Sequence, residues 1–81
     1  MLMEQLLKDM TVIFRDVLDN DDIELKEETT AADIEDWDSL THILLISEIE
    51  KKFSIKFTST EITRFQNVGE LANSVLSKKQ A

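Results

Sequence analysis

An all-α fold, three main helices and one short one, is what this sequence predicts. Three observations carry that reading. Proline is absent and glycine occurs once, at Gly69, which removes the residues that punctuate turn-rich β folds. Apolar residues recur at spacings of three and four over several stretches, the period of a helix with one buried face. Helix-starting residues, Asp38 and Asn67, stand in front of two of those stretches.

The first helix is predicted over Met3–Leu18, where Met3, Leu6, Leu7, Met10, Ile13, Phe14, Val17 and Leu18 form one stripe. Asp19-Asn20-Asp21-Asp22 ends it, because these side chains compete for backbone hydrogen bonds and favour turns. A long connection follows over residues 19–38, with Ile23, Leu25 and Ile34 expected to pin it to the core and Thr30-Ala31-Ala32-Asp33 expected to form a single helical turn. Connections of this length in a compact domain are uncommon and often functional.

The second helix is predicted over Ser39–Phe53, with Asp38 as its N-cap. Advancing about 100° per residue puts Ile43, Leu45, Ile46, Ile49 and Phe53 on one broad arc facing the core, with His42 inside it. Leu40 and Leu44 fall on the opposite side, among Thr41, Ser47, Glu48 and Lys51. Residues 54–57 alternate and read as an extended link, and a short helix is predicted over residues 59–65, with Ile62 and Phe65 turned inward. Asn67-Val68-Gly69-Glu70 reads as a capping box, Asn67 being the cap and Glu70 reaching back. The last helix is predicted to run to about Ser77, burying Val68, Leu71, Ala72, Val75 and Leu76 and ending among Lys78 and Lys79, which suit its negative C-terminus.

The 81 residues make one domain's worth of chain, so residues 1–81 are expected to form a single unit. With no cysteine, the chain supplies neither a disulfide, a thiolate nucleophile nor a cysteine-ligated metal. Nine basic and seventeen acidic residues give a net charge of -8. Such a surface repels nucleic acid and anionic membranes, favours a basic protein partner, and repels its own copies, so a monomer is expected. Met1-Leu2-Met3 is followed at once by Glu4, Lys8 and Asp9, too early for a secretory signal or a membrane span, which points to the cytoplasm.

The candidate for chemistry is Asp38-Ser39-Leu40, where the acidic loop meets the second helix. Backbone N–H groups there lack intrahelical partners and the helix dipole favours negative charge, so a serine at this place tolerates an attached phosphate. Acting as its own nucleophile, Ser39 would need a base. His42 lies about 300° around the helix, toward the core, and the sequence offers no partner to orient its imidazole. One histidine without a ligand cluster also makes a poor zinc site. The run Asp19-Asn20-Asp21-Asp22-Ile23-Glu24 places Ile23 and Glu24 where a calcium loop needs an oxygen ligand and a glycine, which excludes an EF-hand. Trp37 reads first as a core anchor and second as a wall beside whatever Ser39 carries. Leu40 and Leu44 together read as a docking patch.

These residues resemble the acyl carrier protein family, which includes the peptidyl carrier domains. The likeness spans nearly the whole chain, from the first amphipathic helix through Ile34-Glu35-Asp36-Trp37-Asp38-Ser39-Leu40-Thr41-His42-Ile43 to Asn67-Val68-Gly69-Glu70-Leu71-Ala72. It looks most like the stand-alone carriers of dedicated or secondary pathways. The resemblance implies an up-and-down bundle that is not an enzyme. It implies that Ser39 receives 4′-phosphopantetheine from coenzyme A through a separate phosphopantetheinyl transferase, with Asp38 helping to orient the site. The arm's thiol would hold an acyl group as a thioester, for fatty acid or polyketide biosynthesis, with Ile46, Ile49, Ile62 and Phe65 lining an acyl pocket.

The chain departs from fatty-acid carriers in its approach to the serine, Asp36-Trp37 where a glycine is usual, and in Thr41 and Leu44 at commonly acidic positions. That points to a dedicated acyl-loading or acyl-transferring partner reading Leu40, Leu44, Glu48 and Trp37. Two other readings stand beside it: a peptidyl or aminoacyl carrier with a shallow pocket and an aminoacyl-loading partner, and a helical interaction module in which Ser39 is only part of a helix start.

Overall fold

A computed structural model describes residues 2–80; residues 1 and 81, the ends of the expected single unit, lie outside the described residues. Four α-helices follow one another: α1 (Met3–Leu18), α2 (Ser39–Phe53), α3 (Ser59–Arg64) and α4 (Val68–Gln80), with a 3₁₀ turn at Ala31–Asp33 in the long connection. No strand occurs among the described residues.

The stripe of α1 supplies Leu6, Met10 and Phe14, all fully buried, and Leu18. It packs against both α2 and α4, whose buried residues are Leu45, Ile46, Ile49 and Phe53 on one side and Val68, Leu71, Ala72 and Val75 on the other. Asp19 and Ser54 end α1 and α2 in the left-handed conformation, at φ 51° and 55°. Their N–H groups return to the carbonyls of Arg15 and Glu50, so two polar residues do here what a glycine C-cap usually does.

Ile23, Leu25 and Ile34 are buried as expected, and the Arg15 Nε–H donates to the Ile23 carbonyl at 2.9 Å. The connection is also moored at its far side. The N–H groups of Val68 and Gly69, at the start of α4, donate to the carbonyls of Thr29 and Glu27, each at 2.8 Å. Helix-start donors otherwise needing a cap thus hold the loop instead.

Four details differ from the sequence expectations. Ile43, expected in the core, is 53% exposed. It sits at the edge of the α2 arc, on the flank facing α3, and a six-residue helix is too short to cover it. Next, α3 ends at Arg64, and Phe65 is extended, its ring edge-on to Phe57 with centroids 5.5 Å apart. Glu70 does reach back, but to the N–H of Gln66 at 3.0 Å, while Asn67 Oδ1 accepts from the Glu70 N–H at 2.8 Å. Finally, α4 continues beyond Ser77. Its lysines find tertiary partners there: Lys78 pairs with Glu61 at 3.0 Å and Lys79 donates to the Phe53 carbonyl at 3.1 Å.

Candidate functional site

The start of α2 is built by a reciprocal cap. The Asp38 carboxylate accepts the N–H groups of Leu40 and Thr41 at 3.0 and 2.9 Å, and the Thr41 hydroxyl accepts the Asp38 N–H at 2.8 Å. The Thr41 N–H above all, with the Leu40 N–H adding to it, holds the Asp38 carboxyl below its ordinary value of 3.8. Asp38 therefore stays charged at neutral pH. Ser39, the first residue of the helix, is exposed.

Beside Ser39 opens a cleft of about 360 Å³ between α2 and α3, walled by Trp37, His42, Ile43, Ile62 and Phe65. The Trp37 ring is only 7% exposed. It stands edge-on to Phe14 at 5.0 Å and stacks on the His42 imidazole at 5.9 Å, the planes 27° apart. Contrary to expectation, His42 does have partners. The Trp37 Nε1–H donates to His42 Nδ1 at 3.1 Å, and His42 Nε2 lies 2.9 Å from the Ile62 carbonyl oxygen. The sequence hides both contacts, since the partners lie five and twenty residues away. With both ring nitrogens engaged, neither is free to draw a proton from Ser39, which removes the self-activated serine on geometric grounds.

The remaining candidates divide cleanly. Leu40, Leu44 and Glu48 are all exposed on α2, Leu40 at 73% and Leu44 at 51%. Glu48 pairs loosely with Lys51 at 3.6 Å. Trp37 is instead buried and lines the cleft, so a core role, the first of its two readings, outweighs a partner-facing one. Of the four residues expected around an acyl group, Ile62 and Phe65 line the cleft, whereas Ile46 and Ile49 are packed in the interior at 2% and 0% exposure. The cleft uses Ile43 in their place. Its position on the edge of the helical arc was the available signal. Among the described residues no group of acidic, histidine or cysteine side chains is arranged to hold a metal ion.

The family profile for phosphopantetheine attachment sites matches residues 8–75 of the chain. The fold matches the solution structure of a holo acyl carrier protein from Geobacter metallireducens with a TM-score of 0.84, at 46% identity over 90% of this chain and 84% of that one. The chain belongs to the acyl carrier protein family. No curated protein matches it. As an acyl carrier protein it carries 4′-phosphopantetheine covalently and bears acyl groups on it; it is a carrier and not a catalyst. It works with the enzymes that modify it and handle its acyl group. No helix among the described residues is long and apolar enough to cross a membrane.

Proposed function

We propose that Ser39 is the residue to which this acyl carrier protein's phosphopantetheine is joined, and that the carrier serves a dedicated acyl-handling partner. The observation supporting Ser39 is its setting: an exposed hydroxyl on the first residue of a capped helix, with an apolar-walled cleft opening beside it. The residues fit the group. A phosphopantetheinyl transferase reaches that hydroxyl without any movement of the core, and the positive end of the α2 dipole favours the negative charge of a phosphodiester. Asp38 stays ionised next to it, but both charges are in water, where their repulsion is only about 1 kcal/mol at 4 Å.

The prosthetic group supplies the thiol that this cysteine-free chain lacks. Ile43, Ile62 and Phe65 give a short acyl chain, or the proximal part of the arm, an apolar place to rest. Tethering converts each encounter between intermediate and enzyme into an intramolecular one, raising the local thioester concentration. Leu40, Leu44 and Glu48 form the face that the partner reads, since they flank Ser39 on its own helix and two of them are exposed leucines. The protein acts as a single carrier domain, a cytoplasmic monomer kept apart from its copies by its net charge of -8.

Incubation with coenzyme A and a promiscuous transferase, followed by intact-mass measurement, tests the assignment. One phosphopantetheine per chain is expected, and none on Ser39→Ala. Modification that survives in that variant would overturn it, as would an unmodified wild-type chain.

A further inference from the structure

His42 is the titratable side chain of the cleft that carrying an acyl group does not use. Its bonding is fully determined. An indole N–H can only donate, so Nδ1 accepts from Trp37 and carries no proton. Nε2 must then bear the hydrogen of the neutral ring, and it faces a carbonyl, which can only accept. One tautomer satisfies both contacts.

The carbonyl it meets is also special. In a longer helix the Ile62 oxygen would receive the N–H four residues on. Here α3 stops at Arg64, and the N–H of Gln66 goes to the Glu70 carboxylate instead. Ile62 is thus one of the last-turn carbonyls that a helix leaves without an internal partner, and the imidazole takes it up. A six-residue helix does not persist on its own propensity. At its other end α3 has the Thr58–Glu61 cap and the Glu61–Lys78 pair; on the cleft side it has His42.

We propose that His42 is a positioning residue: through its Nε2–H tautomer it ties α3 to the helix that bears Ser39, setting the gap between Ile43 and the Ile62–Phe65 wall, and its protonation breaks the Trp37 side of that tie. A second proton would sit on Nδ1, donor facing donor. The groups that meet the ring are the Trp37 indole from the connection and the Ile62 carbonyl from α3, and from α1 the uncharged Phe14 packs on Trp37. Among the described residues Asp38 is the one carboxylate lining the cleft, and it is turned into its own helix cap. Glu61 of α3 is occupied by the Thr58 N–H and Lys78. Among the described residues no carboxylate pairs with the ring to receive the new charge. The consequence for the cleft's cargo rests on Ser39 being the attachment residue; the tie itself does not.

Nitrogen-15 NMR of the unmodified protein tests the tie. Near neutral pH the imidazole spectrum is expected to show a bare Nδ1 and a protonated Nε2. On acidification the Trp37 indole N–H signal should move with the same midpoint as the His42 ring. His42→Gln, whose amide can accept from Trp37 and donate to Ile62, should keep the α3 amides protected while the indole signal loses its dependence on that midpoint. His42→Leu should speed amide exchange across residues 62–66 by about tenfold, the effect of losing one such hydrogen bond, with α1 unaffected. An Nδ1–H ring, an indole signal indifferent to the histidine, or unchanged exchange in a folded His42→Leu would overturn the proposal. Should His42→Leu not fold, the wild-type titration and His42→Gln decide alone. Because these readings need no prosthetic group, they stand or fall apart from the mass measurement on Ser39.

Discussion

The Trp37 indole meets the Phe14 ring edge-on, centroids 5.0 Å apart and planes at 89°. Through that contact α1 holds the residue two places before Ser39, so the site's position depends on a core that is otherwise remote from it. Phe14 is fully buried, and removing a buried phenyl costs about 3–5 kcal/mol. At roughly 0.05–0.15 kcal/mol per residue, that is a large part of what so short a chain has. Phe14→Ala is therefore expected to lower the urea midpoint severely, read by circular dichroism. A loss of less than about 1 kcal/mol would mean that the contact is not structural.

Gly69 is needed for space and not for backbone freedom. A Cβ built there would lie 2.9 Å from the Glu27 carbonyl oxygen and 3.2 Å from Glu27 Cβ, and the same carbonyl accepts the Gly69 N–H. The loop would have to lift away from α4. Alanine's better helix propensity offsets up to about 1 kcal/mol, against about 1–3 for overpacking. Gly69→Ala is expected to be destabilising on balance, with a thermal midpoint several degrees lower, since each kcal/mol shifts it by about 4–8 °C at this size.

Acid should weaken two helix starts before the rest. The Thr41 N–H lowers the Asp38 carboxyl from 3.8, and the Thr58 N–H, helped by Lys78, lowers Glu61 from 4.5. For a depressed carboxyl the folded state binds the proton later than the unfolded one. Its stabilising contribution is complete above those ordinary values and is lost as pH falls through the lower folded ones. Amide exchange in the first turns of α2 and α3 is expected to accelerate over that range. Asp38→Asn, which can still cap, should flatten the response in α2 only.

Leu44→Glu is expected to slow use by the cognate acyl-handling enzyme by about tenfold or more, the worth of one leucine on an interface. Transfer of phosphopantetheine to the proposed attachment residue, Ser39, should suffer far less. Equal turnover with that partner before and after substitution would remove Leu44 from the docking face.

Much of this was legible in the linear chain. The bounds of α1 follow from a stripe sustained over four turns, and those of α2 from a strong cap at Asp38. What escaped was decided by residues distant in sequence. Helical angle alone puts Ile43 on the arc's edge, but only the shortness of α3 leaves it uncovered. Lys78 and Lys79 look like a fraying end until Glu61 and the Phe53 carbonyl are placed beside them. His42 reads as unpartnered because neither Trp37 nor Ile62 falls at a helical spacing from it. At the site, the capped Ser39 and the exposed Leu40 and Leu44 could be read directly, whereas the cleft could not, because its walls come from three separate elements.

The two mooring bonds from Val68 and Gly69 to the Thr29 and Glu27 carbonyls make the loop that leads to Ser39 depend on a helix that comes later in the chain. Without residues 68 and 69 the loop carbonyls lose those donors, and the approach to the hydroxyl is unanchored. A free chain truncated after Asn67 is therefore expected to accept phosphopantetheine more poorly than the full chain, as a mass assay would reveal.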